Sequence, residues 1–350
     1  MFDLIKELTE LTGPVGQEAI VLDYVENLWK SIGLKTERTK VGNVLARLSS
    51  KNKTIKKPRK LLLAAHGDEL CYLVRAIDER GFLMLANGQA WTRTTDLRNA
   101  FTIGSRVRVL ARSGVIPGVI AAVTGHLGSL VLRDLTELTW NDFWVDTGLS
   151  RDELIARGVT PGTRIIWDAQ TVQWGDHIVG KALDDRVPIA VMTEMVKRVS
   201  RKELMWDVTL ACTVQEEIGT MGAFALAARE KFDAAIIVEI GLAGDVPGVP
   251  PTALPVQLGG GPTLVHKDSG MHYDYALTQS LERCAATANI PIQHAVFGSF
   301  ASDGRAMLQH DIPAAMICFP ARYTHTPFET AHMGDIEKMV DWLCAFVCQS

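Results

Sequence analysis

Four short, largely apolar runs constrain the fold of this 350-residue chain more than any other feature: Lys60 to Ala65, Val208 to Thr213, Ala234 to Val238 and Ala314 to Phe319. Each has the length of a buried strand and is far too short for a membrane span. Segments with helical spacing lie between and after them, at Pro188 to Val199, Gly222 to Glu230, Tyr273 to Ala288 and Ile336 to Val347. Strands that are largely apolar and alternate with helices predict an α/β fold: a mostly parallel central sheet with helices on both faces. Upstream, Phe2 to Leu11 and Glu18 to Ile32 read as helices leading into an extended segment over Val41 to Leu48.

The texture changes between Cys71 and Gln173. Short β-branched runs at Arg106 to Leu110, Val115 to Thr124 and Arg164 to Trp167 are punctuated by turns such as Ile116-Pro117-Gly118 and Thr160-Pro161-Gly162. This predicts a small β-rich domain over residues 71–173, inserted into a main domain formed by residues 1–70 and 174–350.

Charge and composition remove several function classes. A formal net charge of −4 gives no broad basic face for nucleic acid or an anionic membrane. The local basic run Lys51 to Lys60 contains Pro58, lies between apolar stretches and reads as a solvated loop. Met1 to Leu8 has helical spacing without the basic flank and apolar core of a signal peptide, so a cytoplasmic protein is expected. Six cysteines without paired spacing, Cys71, Cys212, Cys284, Cys318, Cys344 and Cys348, are expected to be buried thiols rather than zinc ligands.

Polar residues at the ends of the apolar runs carry the chemistry. His66 and Asp68 are two apart, so on an extended backbone they emerge on one side, and Asp68 is placed to fix the tautomer of a metal-bound His66. A surface imidazole beside a turn carboxylate would look the same. Asp184 and Asp185 precede a helical run, where an aspartate can cap the helix or reach two metals through its two oxygens. Glu216-Glu217 follows a buried-type strand, and two adjacent carboxylates there repel each other unless a cation is near. One could ligate while the other moves a proton, although exposed acids opening a helix also fit. Glu239 ends an apolar run where an ionised carboxylate is costly unless paired or metal-bound, and His325 follows the last run.

Taken in order, these residues resemble the tetrahedral, dodecameric dinuclear metallo-aminopeptidases: glutamyl and deblocking aminopeptidases, some of whose members were once labelled cellulases or endoglucanases. The resemblance runs nearly end to end, through His66-Gly67-Asp68-Glu69, the His126 region, Gly180-Lys181-Ala182-Leu183-Asp184-Asp185-Arg186 and Gln215-Glu216-Glu217. It continues through Gly244-Asp245-Val246-Pro247-Gly248, Gly260-Gly261-Pro262, Ser302-Asp303 and Arg322-Tyr323-Thr324-His325. It implies two divalent ions, Zn2+ or Co2+, one held by His66, Asp184 and Glu239 and the other by Asp184, Glu217 and His325. By the same resemblance Glu216 is the general base, Asp68 supports His66, and a water bridging the ions attacks the amide. The main domain is then the catalytic metallopeptidase domain and the insert the dimerisation domain of a twelve-subunit shell that admits short or unfolded peptides.

Some positions depart from the family pattern. Gly67 and Cys71 replace the more common Met and Gly, and Pro188 stands where a Gly often follows the Asp-Asp-Arg motif. Glu239 replaces the commoner Asp, and Ala301-Ser302-Asp303 replaces Gly-Thr-Asp. A related metal-dependent deacylase or carboxypeptidase, or a catalytically silent scaffold, would share the site. A glycoside hydrolase would have no use for the two imidazoles.

Overall fold

The computed structural model describes residues 1–88, 103–124, 126–127, 139–200 and 202–348. The chain opens with α1 (Phe2–Glu10), α2 (Ala19–Ser31), β1 (Lys35–Arg38), β2 (Val44–Leu48) and β3 (Arg59–His66). There follow β4 (Tyr72–Ile77), β5 (Leu83–Asn87), β6 (Arg106–Ala111), β7 (Gly114–Ala122), β8 (Phe143–Asp146), α3 (Arg151–Ala156) and β9 (Arg164–Trp167). The chain then continues through β10 (Val172–Trp174), β11 (His177–Gly180), α4 (Leu183–Val199), β12 (Trp206–Thr213), α5 (Met221–Arg229) and β13 (Ala234–Leu242). It ends with β14 (Thr263–Lys267), α6 (Tyr275–Thr287), β15 (Gln293–Val296), α7 (Gly304–Gln309), β16 (Ala314–Arg322), β17 (Glu329–His332) and α8 (Met333–Cys348).

The main sheet runs β1-β2-β12-β3-β13-β16-β17-β11-β10, with β14 pairing β16 and β15 beyond it. Its strands alternate between two cores. Leu61, Leu63 and Ala65 of β3 pack with α1, α2, α4, α6 and α8, whereas Leu62 and Ala64 pack with α5 and α7. A strand buried on both sides is apolar at most positions, and this explains the nearly uninterrupted runs. No helix of the described residues is long and apolar enough to cross a membrane.

The expected mostly parallel sheet holds for its centre only. The β12, β3, β13 and β16 strands pair in parallel, while β1, β2, β14, β17, β11 and β10 join their sheet neighbours in antiparallel ladders, apart from the parallel β14–β15 pair. The flanking strands are only three to five residues long, and β1 and β10 are largely exposed, so their patterns are too short to signal a sheet position. Only β1–β2, β10–β11 and β16–β17 are joined by short returns; β2–β12 and β11–β17 pair segments far apart in sequence.

Between β3 and β10, strands β4-β5-β8-β7-β6-β9 close a barrel around Val74, Leu85, Val109, Ile120, Val145 and Ile165. Closure removes the exposed edges that an isolated small sheet would present. The barrel strands end at Trp167, and β10, which a boundary at Gln173 would cut, belongs to the main sheet. The segments 89–102 and 128–138, the latter beside His126, lie outside the described residues.

Where barrel and sheet meet, a buried charge cluster joins three parts of the chain. Lys181 Nζ donates to Glu69 Oε2 at 2.6 Å and to the Leu11 carbonyl at 3.3 Å. Arg186 donates to the carbonyls of Leu8 (2.8 Å), Gly67 (2.9 Å) and Gly13 (3.3 Å), and lies 3.4 Å from Glu69 Oε1. Glu69 Oε1 also accepts the Gly13 amide at 2.9 Å. Burial alone would raise Glu69, but the charges of Lys181 and Arg186 hold it below the usual carboxylate range. Burial pulls Lys181 down to about 8, and the permanently charged Arg186 keeps Glu69 ionised. Replacing Glu69 by Ala strands two buried cations, and we expect it to destabilise the fold by about 3–5 kcal/mol, measured as a lower urea midpoint. An unchanged midpoint would contradict this role.

Candidate metal centre

The C-terminal ends of the central strands deliver the polar residues to one place, as expected for an open α/β sheet. His66 is the last residue of β3, and Glu216 and Glu217 follow β12. Glu239 lies in the second half of β13, His325 follows β16, and Asp184 follows β11 in the first turn of α4.

Non-glycine residues in the left-handed region mark these turns: Ala182 (φ 52°), Gln215 (φ 53°) and His325 itself (φ 65°). Such conformations cost on the order of 1–3 kcal/mol each and persist only where the surroundings impose them. Asp184 and Asp185 have non-helical backbone angles, so regular helix begins after them and Pro188 falls in its first turn, where proline is tolerated. Gly67 is bare because a Cβ there would lie 2.7 Å from Cys212 Sγ. Cys71 packs closely against Gly88 and accounts for a glycine there rather than for any site chemistry.

His66 Nε2 lies 2.9 Å from Asp184 Oδ1, 3.9 Å from Glu239 Oε1 and 4.0 Å from Glu216 Oε2. His325 Nε2 lies 3.4 Å from Asp184 Oδ2 and 3.7 Å from Glu217 Oε2. Asp184 thus faces both imidazoles, one with each oxygen. Asp68 does two things. Its carboxylate is 3.5 Å from His66 Nδ1, which is nearer to the Asp68 carbonyl at 3.2 Å. Both its oxygens accept amides, Oδ1 that of Glu216 and Oδ2 that of Glu217, each at 3.1 Å.

Three further acids belong to the site: Asp185, which the sequence offered beside Asp184 without a role of its own, and Asp303 and Glu329, which it did not offer as site residues. Asp185 Oδ2 accepts the His66 amide at 3.2 Å, and its side chain meets that of Glu239. Asp303, noted only as part of a family motif, accepts the Thr213 hydroxyl at 2.6 Å. Glu329 accepts the amides of Asp184 (3.1 Å) and His325 (2.8 Å). Its acidic side chain at the head of the short strand β17 was the available signal.

The electrostatics are those of a site short of positive charge. Burial pushes Glu216, Glu239 and Asp185 well above the carboxylate range, reinforced by Asp303 and Glu217 at Glu216 and by Asp185 at Glu239. Burial likewise raises Glu217 to about 7 against the pull of His325. Burial alone would lower the imidazoles. Hydrogen bonds with Asp184 and Asp68 instead drive His66 well up, and the Glu217 charge with the Asp184 hydrogen bond takes His325 to about 10. Asp185 Oδ1 and Glu217 Oε1 are buried without a hydrogen-bond partner, a costly state for a carboxylate oxygen.

Donor atoms of His66, Asp184 and Glu217 lie within 4.8 Å of one another, as do those of His66, Asp185 and Glu239. Ligands about 2.1 Å from one cation are at most about 4.2 Å apart, so small movements would close either set. Hard carboxylates with imidazoles suit a divalent ion.

A family profile described as M42 glutamyl aminopeptidase matches residues 42–342. The Escherichia coli protein named "Putative aminopeptidase FrvX" is 30% identical, over 99% of this chain and 94% of that protein. An aminopeptidase structure from the archaeon Desulfurococcus kamchatkensis superposes with a TM-score of 0.89 at 28% identity, covering 100% of this chain and 94% of the other. The Pyrococcus horikoshii TET1 peptidase, described as assembling into a tetrahedron or a large octahedral shell, gives 0.86 at 26% identity over 99% of both chains.

Protons and cations compete for these donors. With Glu217 at about 7 and His325 at about 10, a divalent ion entering at neutral pH must displace protons. Calorimetric titration of Zn2+ in two buffers of different ionisation enthalpy should show net proton release, and apparent affinity should strengthen between about pH 6 and about pH 8. Binding without proton release would count against these donors.

Proposed function

From the premise that this chain belongs to the M42 glutamyl aminopeptidase family and is a metal-dependent aminopeptidase, we propose a division of labour among the clustered residues. His66, Asp184 and Glu239 hold one divalent ion; Asp184, Glu217 and His325 hold the other. The observation that carries this reading is Asp184, which meets an imidazole with each of its two oxygens. Asp185, whose carboxylate holds the His66 amide, supports the first set from behind. Zn2+ and Co2+ both suit the mix of imidazole and carboxylate.

When bound, the two ions supply Lewis acidity to the scissile carbonyl and to the attacking water. The chain's own residues do the rest. Glu216, beside His66 but outside both proposed ligand sets, takes the water proton and returns it to the leaving amine. Its raised proton affinity suits a group that must hold that proton between the two transfers. Asp68 fixes the amides of Glu216 and Glu217, so that base and ligand keep a constant offset, and it steadies the His66 ring. A pair of carboxylates working across a sugar would leave His66 and His325 without a role, which disfavours glycosidase chemistry.

Substrates in this reading are short or unfolded peptides with a free α-amine. By analogy with the TET1 peptidase the protein assembles into a hollow homo-oligomer of dimers, a dodecamer, with residues 71–173 as the dimerisation domain and residues 1–70 and 174–350 as the catalytic domain. A cytoplasmic location agrees with free cysteines at all six positions, five of them buried.

Protein loaded with zinc or cobalt, incubated with matched free and N-acetylated peptides and followed by mass spectrometry, should release residues one at a time from the free N-termini alone. Cleavage of the blocked set would turn the reading toward a deacylase. Glu216→Gln should keep its metal content and lose about 10²- to 10⁴-fold in kcat; near wild-type turnover would refute the base assignment.

A further inference from the structure

Glu329, like Asp68, holds two backbone amides with one carboxylate, but its two amides belong to chain segments far apart in sequence. Asp185 and Glu217 each keep a buried oxygen without a hydrogen-bond partner. Glu329 has both oxygens engaged, Oε2 by the amide of Asp184 at 3.1 Å and Oε1 by the amide of His325 at 2.8 Å. It is fully enclosed, with 2% of its surface exposed.

The two amides belong to segments that secondary structure leaves unsupported. Asp184 sits at a helix start with non-helical backbone angles, and helix starts carry orphan N–H groups. His325 lies in a turn in the left-handed region. The β11–β17 and β16–β17 ladders order the strands that lead into these segments, but the pairing stops at Gly180 and Arg322, short of Asp184 and His325. Glu329 itself is fixed by two ladders. It stands opposite Gly180 in the β11–β17 pair, and its neighbours Thr330 and Ala331 stand opposite Arg322 and Ala321 in the β16–β17 pair. Its side chain therefore projects from a rigid strand into the gap between the two ligand-bearing turns.

We propose that Glu329 is a positioning residue that sets the separation of Asp184 and His325 by holding the backbone amides of both in one carboxylate. It is not a metal ligand and touches no reacting atom. It makes the distance between Asp184 Oδ2 and His325 Nε2, 3.4 Å here, a property of the strand β17 rather than of the two turns alone. This inference rests on the ligand assignment given above.

The test uses the full-length protein as Glu329→Gln, which keeps one acceptor but turns an amide N–H toward the other backbone donor, and as Glu329→Asp, which is too short to span both. Cation content and affinity are measured by titrating Zn2+ into metal-stripped protein, alongside the thermal midpoint of the stripped protein and kcat and KM for one peptide. The expected result for both variants is a stripped-protein midpoint close to wild type, a loss of about 10- to 100-fold in affinity for one ion with the other retained, and a fall in kcat with KM little changed. Wild-type cation affinity in both variants would overturn the proposal, and so would a lowered midpoint with both ions weakened equally, the mark of a merely structural residue. If the unmodified protein took up no cation, the ligand assignment itself would fall, and the two failures are thereby told apart.

Discussion

The interaction on which the rest of the structure depends is the buried meeting of Glu69 with Lys181 and Arg186. Glu69 is three residues beyond His66, Lys181 three before Asp184, and Arg186 two after it. Arg186 also binds the carbonyl of Gly67, next to His66, and the end of α1. One ion cluster therefore locates the two chain segments that present the first imidazole and the carboxylate facing both imidazoles. Buried ion pairs are poor sources of stability compared with apolar packing. Their value here is directional: hydrogen bonds specify where a backbone runs, and hydrophobic contacts do not.

That framework allows the sheet to do something otherwise unfavourable. Five carboxylates, Asp184, Asp185, Glu216, Glu217 and Glu239, converge with two imidazoles in a largely buried space. Their charge is shared out through amides, imidazoles and protons until cations take over. A cation that binds only the folded arrangement stabilises it by mass action. Folding and metal uptake are then one linked equilibrium, and the left-handed residues around the site are part of what that equilibrium must hold in place.

The sequence made the central architecture legible because the four inner strands are buried on both faces and carry few polar positions to blur them. The flanks were less legible. Strands such as β1 and β17, four residues each and half-exposed, have neither the length nor the pattern to signal antiparallel pairing. The donor residues were visible for a related reason: an acid or imidazole at the end of an apolar run is conspicuous. Asp185 was seen but could not be told apart from Asp184, since neighbours in sequence give no hint of which one faces which partner. Glu329 went unnoticed because its task is to hold backbone amides, and amides leave no trace in a sequence. Pro188 and Gly67, read as departures from a pattern, have local explanations in the delayed start of α4 and the bulk of Cys212.

The insertion of the barrel directly after β3 has a consequence for the order in which the molecule can assemble. The barrel strands follow one another in the sequence from β4 to β9, so all their pairings close within one contiguous stretch of chain. Strand β3 must wait, because its partners β12 and β13 are made more than a hundred residues later. During synthesis from the N-terminus the barrel can therefore condense while β3 is still a single unpaired apolar strand tethered to it. His325 and Glu329 emerge last of all the site residues. The part of the site that includes His325 is thus completed last, after the strands that carry the other donors have been made.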